Sequence, residues 1–164
     1  EIPNDLGDQM YWRDVGTIDS YWQANMELLV KDPEFDLYNS QWPMRTFHPA
    51  MPPAQIRACR KGKESVIKNC AIAAGCEVFG AVIDHSVLGF DVEVQSGAEI
   101  NESVLMGNSH IGKNTVLNRC VLDKHVYIAD GVKIGVDRQY DLQRGFTVSP
   151  GGVTVVPQNT DVLE

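Results

Sequence analysis

Between positions 67 and 134 the aliphatic residues of this chain recur at a spacing that few folds can accommodate. One column holds Ile67, Ile83, Ile100, Leu117 and Ile134, at steps of 16, 17, 17 and 17. A second holds Ile72, Leu88, Leu105 and Leu122, and a third Val78, Val94, Ile111 and Ile128, each at steps of 16, 17 and 17. Merged in order, they fall five or six residues apart throughout. A helix needs apolar steps of three and four, and a half-buried strand needs alternation at two. A step of five to six that closes after three steps describes a triangular prism. Each face is one short strand, each corner a tight turn, and each coil about 17 residues. The aliphatic residue of each hexad points inward and stacks on its equivalent one coil away.

Other columns agree with the prism. Small residues recur two positions before the second column, at Cys70, Ser86, Ser103 and Cys120, where a crowded corner requires them. Glycine and asparagine recur at expected turns, at Gly75, Gly89, Gly97, Gly107, Asn114 and Gly131, where positive φ is anticipated. Hexapeptide periodicity of this kind makes parallel β-helices. Resemblance to hexapeptide-repeat proteins implies a left-handed coil, an exception to the right-handed crossover rule. Stacked coils need capped ends. Phe146-Thr-Val148 and Val153-Thr-Val-Val156, joined across Pro150-Gly-Gly152, read as a closing hairpin.

The fold class is therefore mainly β, a parallel β-helix preceded by a short helix and a connector. Residues 1–32 carry a motif and one helix, 33–64 a connector, and 65–164 the β-helix with its capping hairpin. The helix is predicted from Thr17, a good N-cap with Asp19 in the first turn, to about Lys31. Ile18, Tyr21, Trp22, Asn25, Leu28 and Leu29 lie along one face, which seeks a partner. Asp32-Pro33 ends the helix. Pro33, Pro43, Pro52 and Pro53 suggest an extended connector, pinned by Trp42 and Phe47.

Composition narrows the function classes. The formal net charge is −8, and the 14 Lys and Arg show no basic run, so nucleic acid is not an expected partner. No apolar stretch nears the roughly 20 residues that span a bilayer, and residues 1–17 show no secretory pattern. The four Cys, at 59, 70, 76 and 120, lack metal-ligand spacing and read as free thiols of a cytoplasmic protein.

The segment YWRDVGTIDSYW at 11–22 resembles the signature that closes the catalytic domain of ADP-glucose pyrophosphorylases. LYNSQWPMRT at 37–46 and Pro52-Pro-Ala54 are similar to the stretch that follows it, and Ile134-Gly-Val136 matches before the final strands. The resemblance covers essentially the whole chain. It implies the carboxy-terminal regulatory and oligomerisation part of a glucose-1-phosphate adenylyltransferase. Such enzymes join ATP and glucose 1-phosphate, with Mg²⁺, to give ADP-glucose for glycogen synthesis. The implied partners are an amino-terminal catalytic domain absent from this sequence, further subunits of a homotetramer, and phosphorylated effectors such as AMP. No glycine-rich nucleotide loop occurs here, so this chain alone is expected to be inactive.

The same resemblance supplies site residues. Asp14 matches the aspartate near the sugar phosphate and its magnesium, a suitable oxygen ligand. Arg13 joins it as a catalytic candidate able to hold phosphate. Trp12 matches the aromatic beside the glucosyl site. The bland alternative has Trp12 in a core and Arg13–Asp14 as a surface pair. Lys124 matches a basic position that contacts phosphorylated regulators. Family basic residues near the carboxy terminus are missing, and Arg144 and Arg138 are the nearest substitutes. Two rivals stay open: a non-catalytic regulatory homologue, and an acyltransferase using His85 or His110 as general base.

Overall fold

The three aliphatic columns stack as three parallel sheets of one β-helix in the computed structural model, which describes residues 2–3, 10–60 and 62–164. The first face is built from Val66–Lys68, Val82–Asp84, Glu99–Asn101, Val116–Asn118 and Lys133–Ile134. Its register sets Ile67, Ile83, Ile100, Leu117 and Ile134 opposite one another. The second face stacks Ile72, Leu88, Leu105 and Leu122, and the column continues to Val156. The third stacks Val78, Val94, Ile111 and Ile128, and is extended by Ile56 before and Val162 after. From Ile83 to Ile134 these side chains are essentially inaccessible to water, and each stabilises the prism by roughly 1.5–3 kcal/mol.

Corners take left-handed backbone in register. His85, Glu102 and Arg119 form one such column, at φ of 47°, 45° and 51°. Asp91, Asn108 and His125 form another. Side chains bulkier than glycine and asparagine thus occupy a conformation that costs them roughly 1–2 kcal/mol each, repaid by the stacking of adjacent coils. Gly89 departs from the expected pattern, since it has no positive φ. A Cβ there would meet the Met106 carbonyl oxygen at 2.4 Å, so close coil approach selects glycine. The small-residue column holds a ladder: Ser103 N–H donates to Ser86 Oγ (3.1 Å) and Cys120 N–H to Ser103 Oγ (3.3 Å).

Helix α1 spans Ile18–Glu27. Thr17 is its N-cap, and Thr17 and Ser20 form a reciprocal capping box. It ends at a Leu28 C-cap, one turn before Lys31, because Leu28–Val30 already turn away ahead of Pro33. The partner its apolar face seeks is the outside of the second β-helix face. Ile18, Tyr21, Trp22, Met26 and Leu29 pack on Val87, Val104, Val121 and Val155. Those valines each precede an inward-facing residue, so one two-residue alternation serves both the core and the helix.

The connector differs from expectation in two ways. Gln55–Arg57 pairs in parallel with Glu77–Phe79, so the first rung of the β-helix lies within the stretch read as connector. Trp42 and Phe47 are not buried, being 53% and 81% exposed. Phe35 stacked on Tyr11 at 5.1 Å and His48 edge-on to Phe90 at 5.9 Å make the contacts instead.

The far end is closed by more than a hairpin. Thr147–Val148 does pair antiparallel with Thr154–Val156, but the second strand also continues the second face. A short helix not anticipated from the sequence, α2 (Arg138–Gln143), is capped by Asp137. Phe146 follows it into the core.

Candidate functional site

The motif residues Trp12, Arg13 and Asp14 sit on the irregular segment leading into α1. Asp19, in its first turn, accepts from Ser149 Oγ (2.5 Å) and from Gly151 N–H (3.1 Å). The helix start is thereby tied to the closing hairpin. Trp22 ties its middle to a coil corner, donating Nε1–H to the Glu102 carbonyl at 2.6 Å.

Trp12 is 77% exposed, so it does not fill a core within this chain. Arg13 pairs with Glu27 at 2.7 Å rather than with Asp14, and Gln23 donates to the same Glu27 oxygen. Asp14 Oδ1 accepts from Gly16 N–H at 2.9 Å, an Asx-type turn that holds the carboxylate at the surface just ahead of the helix cap. One carboxylate is a sufficient protein contribution for Mg²⁺, which retains waters and takes its other oxygens from phosphate. Among the described residues no group of three or more His, Cys, Asp or Glu gathers around a cation position.

Lys124 lies at the corner that follows the helix-covered second face. Its N–H donates to Asp123 Oδ1 (2.7 Å), and its carbonyl accepts from Asn159 N–H. The backbone is therefore held while the side chain stands in solvent. Arg144 is placed quite differently. It donates to Asp141 Oδ1 (2.5 Å), to the Lys133 carbonyl (2.7 Å) and to the Glu164 carbonyl (2.9 Å). Its guanidinium lies over Tyr140 and Phe146 at 4.5 and 4.9 Å. Asp141, 1% exposed, also accepts from Gly135 N–H and Thr154 Oγ1. The Asp141–Arg144 pair locks α2 onto the last coils. Arg138, at the start of α2, is exposed.

His110 bonds Glu93 through Nδ1 at 3.0 Å and stacks on Tyr127 at 5.0 Å. His85 occupies a left-handed corner. Neither lines the groove at Arg57 and Lys113, although the Glu93 that His110 bonds does.

The absence of a long basic run concealed one concavity of the described residues. Arg57, Arg60, Lys63 and Lys113 line it together. The signal available in the sequence was Arg60-Lys-Gly-Lys63, which lacks the length of a run; Arg57 and Lys113 join it only through the coil register.

Residues 52–156 match the sequence family described as GlmU-like, C-terminal hexapeptide. The chain is similar to a glucose-1-phosphate adenylyltransferase of Deinococcus deserti, 44% identical over 96% of this chain and 38% of that protein. It is similar to the protein of that name from Aliivibrio fischeri, 44% identical over 94% of this chain and 38% of the relative. With the one from Cutibacterium acnes it shares 43% identity over 99% of this chain and 39% of the relative. The chain thus spans under two fifths of the length of the curated relatives it matches. No helix among the described residues is long and apolar enough to cross a membrane.

Proposed function

The chain belongs to the GlmU-like C-terminal hexapeptide family, and on that premise we propose that it is the regulatory and oligomerisation module of an enzyme making ADP-glucose from ATP and glucose 1-phosphate. The observation that carries this reading is the reach of the similarity. It does not stop at the coils, which many unrelated enzymes share, but runs over 94–99% of the chain in these relatives. It therefore takes in most or all of the motif and helix that the coils hold in place.

In this reading the exposed side chains of Trp12, Asp14, Trp42 and Phe47 face a catalytic domain outside this sequence. Trp12 flanks the glucosyl group, and Asp14 contributes a carboxylate to Mg²⁺ shared with substrate phosphates. Arg13, held by Glu27, stands next to that carboxylate, where it can position a phosphate. Phosphorylated effectors such as AMP contact Lys124. They act through different affinities for two arrangements of the domains, since an effector shifts an equilibrium only by that difference. Arg144 contributes by holding the α2 cap rather than by presenting free donors. The protein works in the cytoplasm as a homotetramer, serving glycogen synthesis.

The test is a nucleotide-specificity assay on the whole protein that carries this chain, offering glucose 1-phosphate with ATP, GTP, UTP or CTP and following pyrophosphate. Release with ATP alone supports the proposal. Release with another nucleotide moves the chain to a sister branch, and no release with any favours a non-catalytic regulatory homologue.

A further inference from the structure

We propose that the corner following the third β-helix face carries a second anion site, for a phosphorylated small molecule, distinct from Lys124. Arg57 pairs in register with Phe79 on that face, and Gln95 lines the same edge. Its next corner carries Ser96–Gly97 on one coil and Lys113–Asn114 on the next. The loop after Arg57 turns back on itself, with Cys59 N–H donating to the Lys63 carbonyl and Gly62 N–H to the Cys59 carbonyl, both at 2.8 Å. It walls a groove of about 980 Å³ along this edge.

Four cations line the groove, Arg57, Arg60, Lys63 and Lys113, against one carboxylate, Glu93. Both Glu93 oxygens are engaged, one by Gln95 and the other by His110. A local surplus of three positive charges stands out in a chain of formal charge −8, and a concave wall focuses that field. Arginine and lysine together suit phosphate: planar forks give paired hydrogen bonds, and ammonium groups give mobile point charge. Phe79 offers an apolar floor for a carbon skeleton, with the Arg57 guanidinium 5.8 Å above its ring. The volume exceeds what one phosphate fills, which fits an organic phosphate rather than a bare ion. Lys124 lies on another edge, after the second face, so the two sites are separable by mutation.

The experiment uses the 164-residue chain with inorganic pyrophosphate as probe, read by titration calorimetry and by amide NMR shifts. The expected result is saturable binding with shifts at Gln95, Ser96 and Asn114. The Arg60→Ala/Lys113→Ala double variant, altered only at exposed side chains, weakens binding at least about tenfold, while Lys124→Ala leaves it unchanged. A double variant that loses its circular dichroism is replaced by Lys63→Glu, for which the same loss is expected. Absence of saturable binding overturns the proposal. So does binding that survives the groove variants, or that moves only amides around Lys124.

Discussion

Trp22 donates its indole N–H to the main-chain carbonyl of Glu102, 2.6 Å away and eighty residues further along the chain. The Arg119 guanidinium lies 4.2 Å from the indole ring and 3.6 Å from the Glu102 carboxylate. Glu102 and Arg119 are successive members of one left-handed corner column, so the helix is keyed to the backbone geometry of the coils and not merely to their apolar surface. Trp22→Phe keeps most of the packing and loses the hydrogen bond, at a cost of about 1 kcal/mol. Trp22→Ala also removes ring burial and the cation–π contact, for roughly 3 kcal/mol. Urea unfolding followed by circular dichroism gives both values, and equal losses would mean that ring burial and the cation–π contact contribute nothing beyond the hydrogen bond.

The cap depends on the Asp141–Arg144 pair, whose side chains are 1% and 12% exposed. Asp141→Ala leaves a mostly buried guanidinium without its counter-charge and strands Gly135 N–H and Thr154 Oγ1. The expected loss is about 3–5 kcal/mol. Adding Arg144→Met removes the orphaned charge and restores part of it. Thermal unfolding of the single and double variants checks this, and additive losses would show the two residues to be uncoupled.

Two glycines with nearly the same backbone angle separate strain from collision. Gly131 and Gly135 have φ of 77° and 75°. Around Gly131 an added Cβ meets nothing within 4 Å, whereas at Gly135 it falls 1.7 Å from the Asn118 carbonyl oxygen. Gly131→Ala should cost only the left-handed penalty, roughly 1–2 kcal/mol. Gly135→Ala must also push two coils apart and is expected to yield little soluble protein. Comparable expression and midpoints for the two would refute the distinction.

Burial pushes the Cys120 thiol up to about 12 from an ordinary 9.0, although Ser103 hydrogen-bonds to it and works the other way. Above pH 9 the unfolded chain loses this proton while the folded chain keeps it. Stability is thus full below pH 9 and falls toward pH 12, by up to roughly 1.4 kcal/mol per pH unit from this group. Cys120→Ser, which places at this rung the residue already present at 86 and 103, should flatten that part of the alkaline decline. Denaturant midpoints at pH 8, 9.5 and 10.5 for both proteins provide the comparison. A native thiol alkylated as fast as the unfolded one would contradict the burial on which this rests.

Within the whole protein, the two proposed sites should fail in different ways. Asp14→Asn is expected to lower turnover by at least a hundredfold with unchanged subunit assembly, because the carboxylate is exposed and its loss disturbs only the Gly16 turn. Lys124→Ala should leave unregulated turnover near normal and weaken the response to a phosphorylated effector about tenfold or more. Initial rates with and without AMP, beside size-exclusion profiles, measure both. Normal turnover of Asp14→Asn would make that residue structural.

The coils were readable from the sequence because each inward residue does its work locally and repeats. A 17-residue period places Ile83, Ile100 and Leu117 in register without any knowledge of distant contacts. Thr17 and its helix were likewise readable, since capping and amphipathic spacing are local chemistry. Nothing local, however, says which surface covers Trp22 and Met26, or that Asp19 serves Ser149 rather than the helix dipole alone. Those contacts span 80 and 130 residues and exist only once the coils have stacked. The same reason hid the roles of Arg144 and of the Arg57–Lys113 groove. A charged side chain looks alike in sequence whether it stands in solvent, closes a buried pair or lines a concavity. Only the stacking of the coils, bringing residues 57, 63 and 113 to one edge and the carbonyls of 133 and 164 to Arg144, decides among these.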